Sequence, residues 1–227
     1  MLYLLILGPQ SSGKDIYVFL QPLVEELKEL RESGIDARNA ANDRKVFKML
    51  AALLWTVNDF PARSSLSGWS GQGYKACPTC NENTPSMRVI GKTAYFGHRR
   101  FLPSTHRWRS NLDFDGRTER KRPLRRFSSV DIMDQLRRVK TTILGKHSNY
   151  GGVKQKRGND ELNWRKKSIF YELPYWAEIE LKHNLDVMHI EKNVCDSLLG
   201  KLMRDPHKSK DTDNARRDLE NLGIRLE

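Results

Sequence analysis

Three groups of side chains in this chain have types and spacings that could carry chemistry. The first is Asp59, which closes the stretch AALLWTVND (51–59) immediately before Phe60-Pro61. The apolar run from Ala51 to Val57 predicts a buried strand. A carboxylate at its end would be held rigidly with its oxygens toward a cleft. That arrangement suits Mg²⁺, which takes hard oxygen ligands from one or two carboxylates and from phosphate. The same aspartate is equally a plain turn residue. The second group is Cys77-Pro78-Thr79-Cys80, eighteen residues further on. The third is HNLDVMHIE (183–191), in which Asp186 and Glu191 fall at a predicted strand-to-helix junction. Either could be a metal-binding acid, or Asp186 could cap the helix and Glu191 favour its dipole.

A zinc site needs four ligands, and the CxxC supplies two. His98 and His106, in GHRRFLPSTHRW, are the nearest further candidates. The intervening 2, 17 and 7 residues match no common finger, so Cys77 and Cys80 read either as zinc ligands or as free thiols. In the same segment Arg99, Arg100, Arg107 and Arg109 interleave with Phe101, His106 and Trp108. Such alternation suits phosphate contacts by the arginines, with the aromatics either stacking on bases or forming a local hydrophobic centre. Gly8 to Asp15, GPQSSGKD, almost repeats the phosphate-binding loop GxxxxGK[ST]. Asp15 stands where a hydroxyl should coordinate Mg²⁺, and its charge would repel phosphates, so a strand-to-helix turn is the better reading.

The elements that must position these groups follow from periodicity. Leu2 to Leu7 predicts a strand, and 22–33 a helix with Pro22 in its first turn and Gly34 past its end. Arg38 to Arg44 reads as a loop and Lys45 to Asn58 as a strand. Leu66 to Pro85 is a Gly- and Ser-rich loop, followed by short strands at 87–90 and 93–96 and a helix at 130–139. Lys146 to Gly158 has no periodicity and reads as a linker. Strands are expected at 168–173 and 178–185, then an amphipathic helix carrying Ile190, Val194, Leu198 and Leu202. Together these give an α/β class in three segments: 1–67 and 168–227 as the two parts of a core, and 68–167 as a basic insertion.

Composition agrees with that division. Hydrophobic residues are 38% of the 227 and charged residues 30%, with a net charge of +12. Between Arg88 and Arg126 there are twelve Lys or Arg against three Asp or Glu. Such a field favours polyanions through counterion release. Three cysteines make no disulfide framework and point to a reducing compartment. MLYLLIL is too short to span a membrane, so no membrane partner is expected.

The words LLWTVNDFPA, SGWSGQGYKACPTCN, YFGHRRFLP and ELPYWAEIELKHNLDVMHIEKNVCDSLLG resemble the transposase of CACTA (En/Spm-type) plant DNA transposons, from about Leu5 to Arg225. The resemblance implies an RNase H-like nuclease that cuts and rejoins DNA with an Asp/Asp/Glu site holding Mg²⁺ or Mn²⁺. Asp59 would be the second acid, and Asp186 or Glu191 the third. The first acid is expected on a strand upstream of Leu2, so the chain reads as an internal piece with an incomplete RNase H-like domain and a basic, zinc-competent insertion. The resemblance further implies a nuclear location, transposon-end DNA as partner, and other transposase subunits or an element-encoded DNA-binding protein as protein partners. Two other readings stand beside a DNA strand-cleaving enzyme: an inactive or domesticated DNA-binding remnant, and a P-loop nucleotide hydrolase, which Asp15 disfavours.

Overall fold

The computed structural model describes residues 15–39, 46–114, 116–139, 162–205 and 211–223. It divides into two compact units, one of residues 1–69 with 128–184 and the other of 70–127 with 185–227. The expected strand at Leu2 to Leu7, most of the GPQSSGKD turn and the 146–158 linker lie outside the described residues.

In the first unit, helix α1 runs Ile16–Glu32, beginning six residues before the expected start. Pro22 therefore lies inside the helix and not in its first turn. Its side is exposed, so water can serve the carbonyl that loses a partner there. The far end closes as expected: Ser33 and Gly34 both donate to the Glu29 carbonyl, with Gly34 at a φ of +63°. Strand β1 (Ile35–Arg38) pairs antiparallel with β2 (Val46–Met49), and most of the expected loop at 38–44 lies outside the described residues. The expected long strand at 45–58 is broken. Only β2 and β3 (Thr56–Asn58) are strands, and Leu54, Trp55 and Val57 are exposed. A short apolar run has no period of its own, and here only its last residues enter a sheet, in β3.

The core of this unit is aromatic. Tyr17, Val24 and Leu27 of α1 pack on Ile169, Phe170, Leu173 and Trp176, all buried. The segment 168–178 makes two 3₁₀ turns, Ile169–Glu172 and Trp176–Glu178, where a strand was expected. Pro174 and the spacing of the bulky residues explain the change. The turns put Phe170, Leu173 and Trp176 on one side, three residues apart, as 3₁₀ geometry requires. The Tyr17 hydroxyl donates to the Leu66 carbonyl at 2.9 Å, and Lys166 Nζ lies 3.2 Å from the centre of the Tyr17 ring. Strand β6 (His183–Leu185) pairs with β3, in place of a strand from 178. Helix α2 (Phe60–Ser67) ends at Gly68, and Trp69 forms a bridge to Trp164 with the two rings edge to face at 4.9 Å. Helix α3 (Ser129–Arg137) falls where the periodicity places it, closed by a Ser128–Asp131 capping box.

In the second unit, the two short strands expected from the sequence form one residue earlier, as β4 (Ser86–Val89) and β5 (Lys92–Tyr95), and pair as a hairpin turning at Ile90-Gly91. Helix α4 (Val187–Leu202) also forms, but Ile190, Val194, Leu198 and Leu202 remain exposed. Periodicity shows that a helix has an apolar face; it cannot supply the surface that would cover it. A further helix, α5 (Asp213–Asn221), escapes the apolar pattern because it carries almost no apolar residues. Its Asp218 accepts the Ile90 N–H at the hairpin tip, at 2.8 Å. The class is thus mixed helix and small sheets, consistent with α/β. Among the described residues every sheet has two strands, without the wider sheet of an RNase H-like core.

Gly68 lies at a φ of +78°, and a Cβ there would press into the Lys166 carbonyl oxygen. Gly68→Ala is expected to destabilise the protein by roughly 2 kcal/mol or more, from left-handed strain and the clash with rigid backbone. The midpoint of chemical denaturation measures it, with Gly73→Ala as a control, since Gly73 shares a positive φ but meets no atom within 4 Å.

Candidate functional site

Asp59 follows β3 directly, yet its carboxylate is turned to a structural task. It is the N-cap of α2, and its Oδ1 accepts the Ala62 N–H at 2.7 Å. Phe60-Pro61 at the helix start suits this, because proline lacks only an N–H that a first turn leaves unbonded. Asp186 repeats the pattern after β6, where its Oδ1 accepts from Met188 N at 3.0 Å and His189 N at 3.4 Å at the start of α4. Glu191 lies one turn on, exposed. Both aspartates therefore satisfy helix-terminal donors, the alternative that the sequence left open for Asp186.

Cys77 and Cys80 close a tight turn. The Cys80 N–H donates to Cys77 Sγ at 3.4 Å, and the Asn81 N–H to the Cys77 carbonyl at 2.8 Å. Asn81 is fully buried at a φ of +53°, a conformation its short amide side chain tolerates. Cys80 is buried and Cys77 half-buried. His98 opens a 3₁₀ turn, and His106 Nδ1 accepts the Trp108 N–H at 3.2 Å. Among the described residues no three His, Cys, Asp or Glu side chains form a group able to hold a metal ion. Among the described residues the expected set of Cys77, Cys80, His98 and His106 is thus not gathered into one group, and neither is an Asp/Asp/Glu group for Mg²⁺ or Mn²⁺.

The arginines are brought together, in a way charge counting missed. Arg99 donates to the carbonyls of Trp108, Asn111 and Arg117 at 3.3, 2.8 and 3.1 Å. Arg100 donates to the Arg122 carbonyl at 3.1 Å and to Asn83 Oδ1 at 3.4 Å. Arg109, only 4% exposed, donates to the carbonyls of Arg99, Leu102 and Lys121. Five donors in a rigid fork make guanidinium the one side chain able to cross-link several carbonyls at once. These three hold the loop 98–124 together. Arg107 instead is exposed, as are Arg120, Lys121, Arg122 and Arg126. The aromatics make a small local cluster, with His106, Trp108 and Phe114 edge to face.

His183, beside the expected acids in sequence, has a role its lone position in the chain gave no sign of. Its Nδ1 lies 2.8 Å from Thr56 Oγ1, which also accepts from Asn58, and its carbonyl accepts from Arg63 at 2.8 Å. Its ring meets Trp176 edge to face at 5.5 Å and Phe170 at a tilt at 6.0 Å, and among the described residues its buried Nε2 has no hydrogen-bond partner. Burial first, then the charges of Arg63 and Lys182, lower its pKa from the ordinary 6.5 to about 4.

Residues 1–139 match the family model described as Transposase family tnp2. No curated protein and no solved structure matches the chain.

Two outcomes follow from this geometry. His183 stays neutral in the fold but takes a proton near pH 6.5 once unfolded, so stability holds above that pH and falls as the pH drops from 6.5 toward 4. The loss reaches roughly 3 kcal/mol, and His183→Gln should flatten denaturation midpoints measured across that window. Removing the Arg109 fork takes a charged donor from the carbonyls of Arg99, Leu102 and Lys121. Arg109→Ala should speed limited proteolysis within 98–124 about tenfold or more.

Proposed function

Because the chain belongs to the transposase family tnp2, we propose that it serves a CACTA (En/Spm-type) transposase in the nucleus by binding transposon DNA through the basic surface of its second unit. A transposase-type function makes DNA the partner. The observation that carries the placement is the division of labour among the arginines. Arg99, Arg100 and Arg109 are committed to carbonyls, while Arg107, Arg120, Lys121 and Arg122 are exposed on the loop those three hold. Cations anchored on a cross-linked loop meet phosphates with less ordering cost than cations on a free tail. Among the described residues no helix is long and apolar enough to cross a membrane.

A second reading is strand cleavage and transfer by Asp59, Asp186 and Glu191 on the Asp/Asp/Glu plan. It is favoured by one observation: Asp59 stands one residue past β3 and Asp186 one past β6, the strand-end position such acids take. The capping bonds weigh against it, since each aspartate gives one oxygen to its own helix. DNA binding is the reading with more support.

Fluorescence anisotropy with a labelled duplex tests it. Affinity should fall steeply with salt, and Arg120→Ala with Arg122→Ala should reduce the slope of log K against log salt by about two. Salt-independent affinity, or no binding, would refute the reading. Metal-dependent cleavage of the duplex, abolished by Asp59→Asn, would restore the second one.

A further inference from the structure

The loop 98–124 forms an open concavity of about 540 Å³. Its lining includes the hydroxyls of Ser104, Thr105 and Thr118 and the cations Arg120, Lys121 and Arg122, with Glu119 its single carboxylate. Glu119 Oε1 already accepts the Lys121 N–H at 2.9 Å. Arg109 also lines it, a buried cation held by carbonyls and, among the described residues, without a carboxylate partner. A desolvated charge balanced only by dipoles favours an anion in its neighbourhood. His106, on the same wall, accepts the Trp108 N–H at Nδ1, so the neutral ring carries its proton on Nε2 as a donor. Cations, hydroxyls and an imidazole N–H together make the lining of a phosphate site.

Size narrows the ligand. A concavity of this volume takes a molecule of small-ligand dimensions. The phosphates of paired DNA lie on a rigid convex surface and cannot enter one; an unpaired nucleotide can. We propose that this cavity takes one phosphorylated nucleotide at an unpaired DNA strand end. The proposal rests on the DNA reading above and names what the basic loop grips beyond backbone charge.

The test compares, at one salt concentration, a blunt duplex with the same duplex bearing a 5′-phosphorylated single-nucleotide overhang. The full chain should bind the overhang about tenfold more tightly, the worth of one or two charge-assisted hydrogen bonds. A deoxynucleoside 5′-monophosphate should erase that difference. Thr118→Trp, which fills the cavity from an exposed position, should abolish the preference while leaving blunt-duplex binding unchanged, and Thr105→Trp should do the same if the first variant misfolds. Equal affinity of the unaltered protein for both duplexes, or a preference that survives both variants, would overturn the cavity assignment and leave the DNA reading intact. Binding of neither duplex would overturn the DNA reading and with it the strand-end assignment. In that case calorimetry with the mononucleotide alone, retained by the unaltered protein and lost in the variants, still separates the cavity from the surface.

Discussion

A chain of 227 residues with 38% hydrophobic content and a net charge of +12 has too little apolar surface to close its whole backbone by packing. Carbonyls left without a core or a sheet still need donors, since a buried one without a partner is costly. In the loop 98–124 the donors come from Arg99, Arg100 and Arg109, whose guanidiniums reach across as many as eighteen positions in sequence to Arg117 and twenty-two to Arg122. Everything in that segment depends on this arrangement, including the exposure of Arg107, Arg120 and Arg122, the clustering of His106 with Trp108, and the cavity between them. The same residue type thus does two jobs that differ only in which oxygen each fork meets.

The first unit solves the same shortage differently. It concentrates its apolar residues into one aromatic cluster, where Trp176, Phe170 and Tyr17 are almost wholly buried. Polar groups are then drawn in around the rings. Burial raises the pKa of Tyr17 well above the ordinary 10, while its hydroxyl keeps a bond to Leu66 O. Tyr171 is pushed up to about 12 for the same reason. His183 is the counterpart on the basic side, kept neutral by the same apolar walls that place β6.

What could be read from the sequence was whatever local rules decide. The hairpin at 86–95 needs only two short runs around Ile90-Gly91. Helix α3 declares its own cap through Ser128 and Asp131, and α4 its period. The misread segments are those in which tertiary context chose between equal local options. Residues 168–178 carry enough bulk for a strand, yet Pro174 and a three-residue aromatic spacing favour turns that deliver Phe170 and Trp176 to α1. Residues 51–57 carry the same apolar weight and stay largely outside. At the candidate sites the alternatives were visible and the choice was not. Asp186 as a cap was one of two readings of HNLDVMHIE, and the pattern of cations from 99 to 109 says nothing about whether a guanidinium will face phosphate or carbonyl.

The cross-linked loop also has a thermodynamic signature that sets it apart from the aromatic cluster. Heat capacity on unfolding rises with the apolar area exposed and falls with the polar area. Opening the aromatic cluster exposes chiefly rings and aliphatic chains, so its stability should curve strongly with temperature. Opening 98–124 exposes chiefly carbonyls and guanidiniums, so its stability should run nearly straight. The two parts of one chain would then answer cooling differently: the aromatic cluster weakens as the apolar driving force fades, while the guanidinium cross-links keep their enthalpy.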